Sequence, residues 1–161
     1  MTLSVPTGLW DKYYEACNFF IEELGRDATI MYPAKKTACS NCIKPVGMDY
    51  NVYRHGGPAP FSFGNCPLCG GSGYKETEHT DTIKLRTYWN RADWIRIVGN
   101  IVDKEADILV IGYMLDVEKV KQADYIILCK DNNEASYRAK LVGPPRPWGF
   151  KRNKYFFVTM K

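Results

Sequence analysis

Four cysteines carry the chemistry that is legible first. They stand as Cys39-x2-Cys42, then 23 residues, then Cys66-x2-Cys69. A two-residue gap lets both sulfurs of a tight turn aim at one point, and two such turns supply the four thiolates of a tetrahedral zinc. The loop between the pairs exceeds the usual zinc-ribbon length, but closure entropy grows only logarithmically with length. Behind the second pair comes Gly70-Gly71-Ser72-Gly73. Glycines there permit left-handed turns and let backbone N–H groups approach a sulfur. Two disulfides or four free thiols are the alternatives for the same residues, and iron is the alternative to zinc.

Four sulfurs close the coordination shell, whereas a catalytic zinc keeps one position open and has a general base beside it. The spacing therefore predicts a structural ion. His55 and His79 are the only histidines and lie outside any ligand pattern, so they read as loop residues. The chain has no phosphate loop of the GxxxxGK[ST] or GxGxxG type and no GxSxG elbow. Cys17 and Cys129 sit in apolar segments and read as packing residues. The expectation is a non-enzyme with no catalytic and no cofactor-binding residue beyond the metal ligands.

The elements that must hold this centre come next. Apolar residues at Leu9, Trp10, Tyr13, Ala16, Cys17, Phe20, Ile21 and Leu24 follow helical spacing, which predicts one amphipathic helix over 9–24 with Gly25 as its stop. Residues 28–32 read as a short strand. Residues 33–76 hold four of the six cysteines and seven of the thirteen glycines, too little aliphatic content for a core of their own. That stretch is predicted to be an inserted zinc module. From Thr80 the two-residue period of a half-buried strand sets in, with Ile83, Leu85, Thr87 and Trp89 on one face. Further strands are predicted at 94–98, 107–113, 124–129, 136–142 and 154–160, with one helical turn at 117–122 capped by Asp116. Turns fall at Asp131-Asn132-Asn133 and Gly143-Pro144-Pro145. The whole is a mainly β chain: one domain over 1–161, a small β-barrel or sandwich whose core spans 80–161, with an N-terminal helix and the inserted four-cysteine zinc module.

Composition bounds the function class. Hydrophobic residues make up 45% and charged residues 25%, ordinary globular values that argue against disorder. The N-terminus lacks a secretory pattern and no apolar run approaches the roughly 20 residues of a membrane span, so a reducing compartment is expected. The net charge of +4 is unevenly spread: residues 1–32 carry two basic and five acidic side chains, while from Tyr137 onward there are seven basic and none acidic. Within 33–76 the count is five basic to two acidic. Lys35, Lys36, Lys44, Arg54 and Lys75 can there offset the two net negative charges of a zinc held by four thiolates.

Two resemblances add to this. Cys66-Pro67-Leu68-Cys69-Gly70-Gly71-Ser72-Gly73 is similar to the CxxCxGxG element of DnaJ-type chaperone zinc domains. Those domains string four such elements together and this chain has one, so what carries over is the geometry of the zinc turn. The second resemblance is broader. The stretch from Gly56-Gly57-Pro58-Ala59-Pro60-Phe61 through the cysteine turn into Ile83-Lys84-Leu85-Arg86-Thr87-Tyr88-Trp89-Asn90 resembles small virion proteins of tailed bacteriophages. So does the closing pattern of Ala123-Asp124-Tyr125-Ile126-Ile127 and Lys154-Tyr155-Phe156-Phe157-Val158, which is similar to the β-barrel head-closure (stopper or neck) proteins. That resemblance implies a homo-oligomeric ring in the neck of the virion, made in the host cytoplasm. It would touch portal, adaptor and tail proteins and close the DNA channel. Arg146, Lys151, Arg152 and Lys154 would face packaged DNA or an acidic partner surface. Trp148 and Phe150 would serve a partner-binding loop or fold back over the barrel end. The rival from another class is a zinc-ribbon nucleic-acid-binding protein, which zinc, a basic balance and many aromatics also fit.

Overall fold

The structure is a computed structural model that describes residues 7–44, 53–62, 64–99, 103, 105–129, 136–149 and 153–161. Its elements in chain order begin with α1 (Thr7–Glu22), β1 (Arg26–Met31), β2 (Lys35–Ala38), β3 (Cys42–Ile43), β4 (Arg54–His55), β5 (Tyr74–Thr77) and β6 (Thr80–Tyr88). Then come α2 (Arg91–Val98), β7 (Ile108–Tyr113), α3 (Val117–Lys121), β8 (Tyr125–Cys129), β9 (Ser136–Ala139), β10 (Arg146–Trp148) and β11 (Tyr155–Met160). The chain divides into two compact units: residues 1–32 with 80–161, and residues 33–79. The chain is mainly β, as the residue patterns predict.

In the first unit seven strands form one curled antiparallel sheet in the order β10-β11-β7-β6-β1-β8-β9. Its two terminal strands are successive pieces of one run. β9 pairs with β8, and the residues just beyond it pair with the end of β11: Lys140 and Lys161 exchange both backbone bonds at 2.7 and 2.9 Å, and Leu141 bridges Met160. The two flanks of the sheet are thereby drawn together. The predicted strand over 136–142 is thus split between two neighbours.

Two apolar clusters occupy the two sides of this sheet. Inside the curl lie Ile30, Leu85, Val110, Ile126, Leu128, Phe156 and Met160, with Val117 and Val120 of α3. On the outer side α1 and α2 lay Tyr14, Cys17, Ile21 and Trp94 over Leu109, Ile111, Tyr155 and Phe157. β7 and β11 are therefore covered on both faces, which is why they are buried at nearly every position while β6 alternates. β7 approaches its neighbours most closely at Gly112. A methyl there would lie 2.7 Å from Leu85 Cδ2 and 2.9 Å from the Phe156 ring. Gly112→Ala is expected to cost about 1–3 kcal/mol through overpacking, seen as a lower denaturation midpoint at unchanged slope.

Several expectations are corrected. Residues 94–98 belong to α2, not to a strand. Asn90 caps the helix, its Oδ1 accepting the Ala92 N–H at 3.0 Å, and Trp94, Ile97 and Val98 then share one face at helical spacing. A short apolar run satisfies either period, and the cap decides. α1 buries Tyr14, Cys17 and Ile21, but Leu9, Phe20 and Leu24 of the expected stripe are exposed. Gly25 follows the helix without a left-handed backbone; its N–H bonds to the Ile21 carbonyl at 3.1 Å, and a side chain would meet that carbonyl. Asp116 occupies the cap position of α3 with no side-chain cap bond, and its carboxylate sits 3.3 Å from Lys119 Nζ instead. Trp148 lies on β10 and is half-buried, its ring centroid 5.8 Å from that of Tyr155. Asp131-Asn132-Asn133, Phe150, Lys151 and Arg152 lie outside the described residues, as does the Cys129 side chain.

Candidate metal centre

The second unit is built from short ladders, β2 with β5 and β3 with β4. All eight residues of β2 and β5 are exposed. Among its described residues the only buried side chains are those of Cys39, Asn41 and Cys66. Three side chains make no hydrophobic core, so burial cannot be what holds this unit together.

The ladders bring the four cysteines to one point. Cys42 N–H bonds to the Cys39 carbonyl at 3.2 Å in the first turn, and Gly70 N–H bonds to the Cys66 carbonyl at 2.8 Å in the second. Past Cys69 the chain doubles back through Gly70, Gly71 and Gly73 at φ of +60°, +88° and +73°, as the glycine-rich run predicts. The two turns are then tied across the unit, where Cys39 N–H donates to the Gly73 carbonyl at 2.9 Å.

The four Sγ atoms all lie within 4.8 Å of one another, and none is in a disulfide. Cys39 and Cys66 are 3.9 Å apart, Cys42 and Cys69 3.5 Å. Sulfurs at about 2.3 Å from a tetrahedral ion stand about 3.8 Å from each other, so the two separations of 3.9 and 3.5 Å suit a shared metal ion. The disulfide reading of the sequence is not what these separations describe.

The electrostatics of the cluster point the same way. Burial pushes the Cys66 pKa up, but the Asn41 amide and the N–H groups of Leu68 and Cys69 outweigh it and bring it down to about 6. Burial also opposes ionisation of Cys69, which is lowered by Cys42 and by the N–H groups of Gly73 and Gly71. Burial and the neighbouring sulfurs hold Cys42 well above the ordinary thiol value. At Cys39 the Asn41 N–H lowers and burial raises, with a net rise. Four sulfurs this close cannot all lose their protons without a cation among them. Protons and metal compete for the same sulfurs, so metal affinity falls as pH is lowered.

Asn41 is the functional residue that sequence reasoning missed. It is fully buried, donates from Nδ2 to the Ala59 carbonyl at 2.7 Å and to Cys66 Sγ at 3.4 Å, and accepts the Ala59 N–H at Oδ1 at 3.0 Å. One amide thus ties the loop around Ala59 to the metal centre. An asparagine between two ligand cysteines is a visible signal, but its partner 18 residues on is not. Asn41→Ala is expected to weaken metal binding about 10–100-fold, measured by competition against a chelator of known affinity. Unchanged affinity would refute the supporting role.

The histidines stay outside the cluster. His55 lies opposite Cys42 in the β3–β4 ladder, yet its Nε2 meets the Gly57 carbonyl at 2.5 Å and its ring meets the edge of Phe61. Of the offsetting basic residues, Lys36 pairs with Glu76 at 3.2 Å. In the first unit Arg146 reaches Asp103 at 3.5 Å, and Lys154 lies 4.7 Å from the Tyr14 ring centroid.

Fold and site together define a mainly β protein with a four-cysteine centre able to hold a metal ion. Comparison with protein-family models, with curated proteins and with solved structures finds no match to this chain. Among the described residues no helix is long and apolar enough to cross a membrane.

Proposed function

We propose that this protein is a structural component of a tailed-phage virion, a ring-forming head-closure or neck protein whose inserted unit is held by a structural zinc ion. The observation that carries the reading is an unpartnered apolar helix face. Leu9, Phe19 and Phe20 of α1 are 59%, 55% and 48% exposed. Phe20 also lines a mainly apolar groove of about 590 Å³ shared with Tyr13, Ala16, Ile97 and Trp148, where the charged Asp93 and Arg96 stand as well. Exposed apolar surface of this kind marks a contact with another protein. A curled half-barrel sheet whose flanks are tied at Lys140–Lys161 and Leu141–Met160 suits a rigid ring subunit, and the pattern resemblance to neck proteins supplies the context. The donor set, four thiolates in a closed tetrahedral shell, supports zinc as the ion.

Imaging the purified protein by negative stain, alone and with virion neck components, tests the assembly. Rings, or density added at the neck, support it. A monomer that ignores the neck and binds nucleic acid with steep salt dependence overturns it in favour of the zinc-ribbon reading. Metal analysis on the same sample decides the ion: zinc leaves the protein colourless, whereas iron in four thiolates absorbs visible light.

A further inference from the structure

Among the described residues nine large apolar side chains are exposed, and seven of them gather in two places. Leu9, Phe19, Phe20 and Leu24 lie on α1 or just behind it. Ile43, Leu68 and Tyr74 belong to the inserted unit, at 57%, 55% and 47% exposure. Among its described residues that unit buries three side chains and leaves as many large apolar ones in water. Exposed apolar clusters mark contact surfaces.

Local geometry shapes both patches. At about 100° per residue, Phe19 is the crest of α1, opposite buried Tyr14, Cys17 and Ile21. Leu9, Ala16 and Phe20 fall on one side of that crest, and Asp11, Glu15 and Glu22 on the other. In the inserted unit Ile43 follows Cys42 and Leu68 precedes Cys69. Those two sulfurs are 3.5 Å apart, so both apolar residues are rooted at the same end of the metal cluster. Lys44 follows Ile43, and Arg54 lies directly opposite Ile43 in the β3–β4 ladder, on the same face.

The flanking charges are opposite in sign. From Thr7 to Leu24 there are four acidic side chains and one basic, and none of the described ion pairs involves Asp11, Glu15 or Glu23. Residues 33–79 carry five basic side chains to three acidic, so a four-thiolate zinc leaves that unit near neutral as a whole. The cations beside Ile43 therefore act locally, within the roughly 8–10 Å over which salt leaves exposed charges unscreened. An apolar crest flanked by acids matches an apolar pair flanked by cations. Packing α1 on a second α1 would instead set acid against acid, and pairing two inserted units would set cation against cation.

We propose that the inserted unit of one copy of this chain docks on α1 of the next, with Ile43 and Leu68 against Phe19 and Phe20. Lys44 and Arg54 then lie toward the acidic row of that helix. The inference rests on the ring reading above and names the partner of the α1 face. Such a contact is heterologous: each copy binds with one surface and is bound on another, the arrangement that closes into a ring. The ion fixes the surface that the neighbouring copy recognises.

The test uses the full chain, its metal quantified and its mass followed by light scattering across a concentration series. Phe19→Glu spoils the receiving surface and Leu68→Glu the inserting one, and both positions are exposed. Circular dichroism and metal content check that each variant is folded, and Ile43→Glu serves if Leu68→Glu loses the metal. Each variant alone is expected to self-associate at least about tenfold more weakly than the unaltered chain. Mixed in equal amounts, the two should form a dimer and nothing larger. The intact inserted unit of Phe19→Glu fits the intact α1 of Leu68→Glu, and the two remaining surfaces are spoiled. A variant that assembles like the unaltered chain, or a mixture that stays monomeric or rebuilds rings, overturns the proposal while the ring reading stands. An unaltered chain that is monomeric in isolation also overturns it, and one that ignores the virion neck as well overturns the ring reading with it.

Discussion

Stripping the metal with a strong chelator is expected to unfold residues 33–79 and to leave the curled sheet of the other unit folded. Among the described residues of the insertion nothing else can take over the ion's role. Within 33–79 the buried side chains described are two ligands and the amide that supports one of them, and the β2–β5 ribbon is exposed on both faces. An isolated two-stranded ribbon is marginal in water. A structural ion held by four thiolates, if zinc, contributes on the order of 10 kcal/mol or more, and the described residues of the unit form no other core, so its loss exceeds anything the ladders can offset. The sheet of residues 26–31 and 80–161 has two apolar clusters of its own, built without any residue of the insertion. Hydrogen exchange read by mass spectrometry separates the outcomes. Amides of β2 through β5 should lose protection on chelation, and those of β7 and β11 should keep it. Cys66→Ser should reproduce the pattern. Protection that persists in 33–79 with the metal demonstrably gone would show that the ion is a passenger.

Trp94→Ala is expected to cause the complementary loss, destabilising the sheet unit while the metal stays bound. Trp94 is 0% exposed and packs with Leu109, Ile111, Tyr155 and Phe157 beneath α1. Its indole N–H donates to the Tyr88 carbonyl at 2.9 Å, which fastens the turn between β6 and α2. Removing a buried tryptophan costs about 3–5 kcal/mol through lost contact and the cavity left behind, and the orphaned carbonyl adds to it. That corresponds to a fall in melting temperature of roughly 12–20 °C for a unit of this size. Trp94→Phe keeps most of the packing and loses the hydrogen bond, so it should fall between. Thermal and denaturant unfolding, with metal content measured in parallel, checks both. A melting temperature unchanged in Trp94→Ala would mean that α2 is not part of the cooperative core.

These two results concern features that differ in how early they can be read. The metal centre is legible because its information is local. A two-residue gap between cysteines, repeated once, already limits where the sulfurs can point, and the glycines behind Cys69 already specify a left-handed turn. The alternation of β6 is equally local, since a half-buried strand must change face at every residue. Trp94 is the opposite case. The run 94–98 fits a strand or a helix, and only the cap at Asn90 and the presence of β7 and β11 beneath it select the helix.

The same division runs through the rest of the molecule. Residue types and spacing alone predict that 33–76 has too little aliphatic content for a core, that four cysteines there can share a metal ion, and that strands rich in Ile, Val, Tyr and Phe follow the insertion along the chain. Other features emerge only once the chain is folded: the pairing beyond β9 that draws the sheet's two flanks together, the cover on both faces of β7 and β11, and the reach of Asn41 to Ala59. Folding also selects which apolar residues of α1 go inside: Tyr14, Cys17 and Ile21 are buried, whereas Leu9, Phe19 and Phe20 are left on the surface. Periodicity along a chain records that a face is apolar, but burial depends on what packs against that face, and that partner comes from residues far away in sequence.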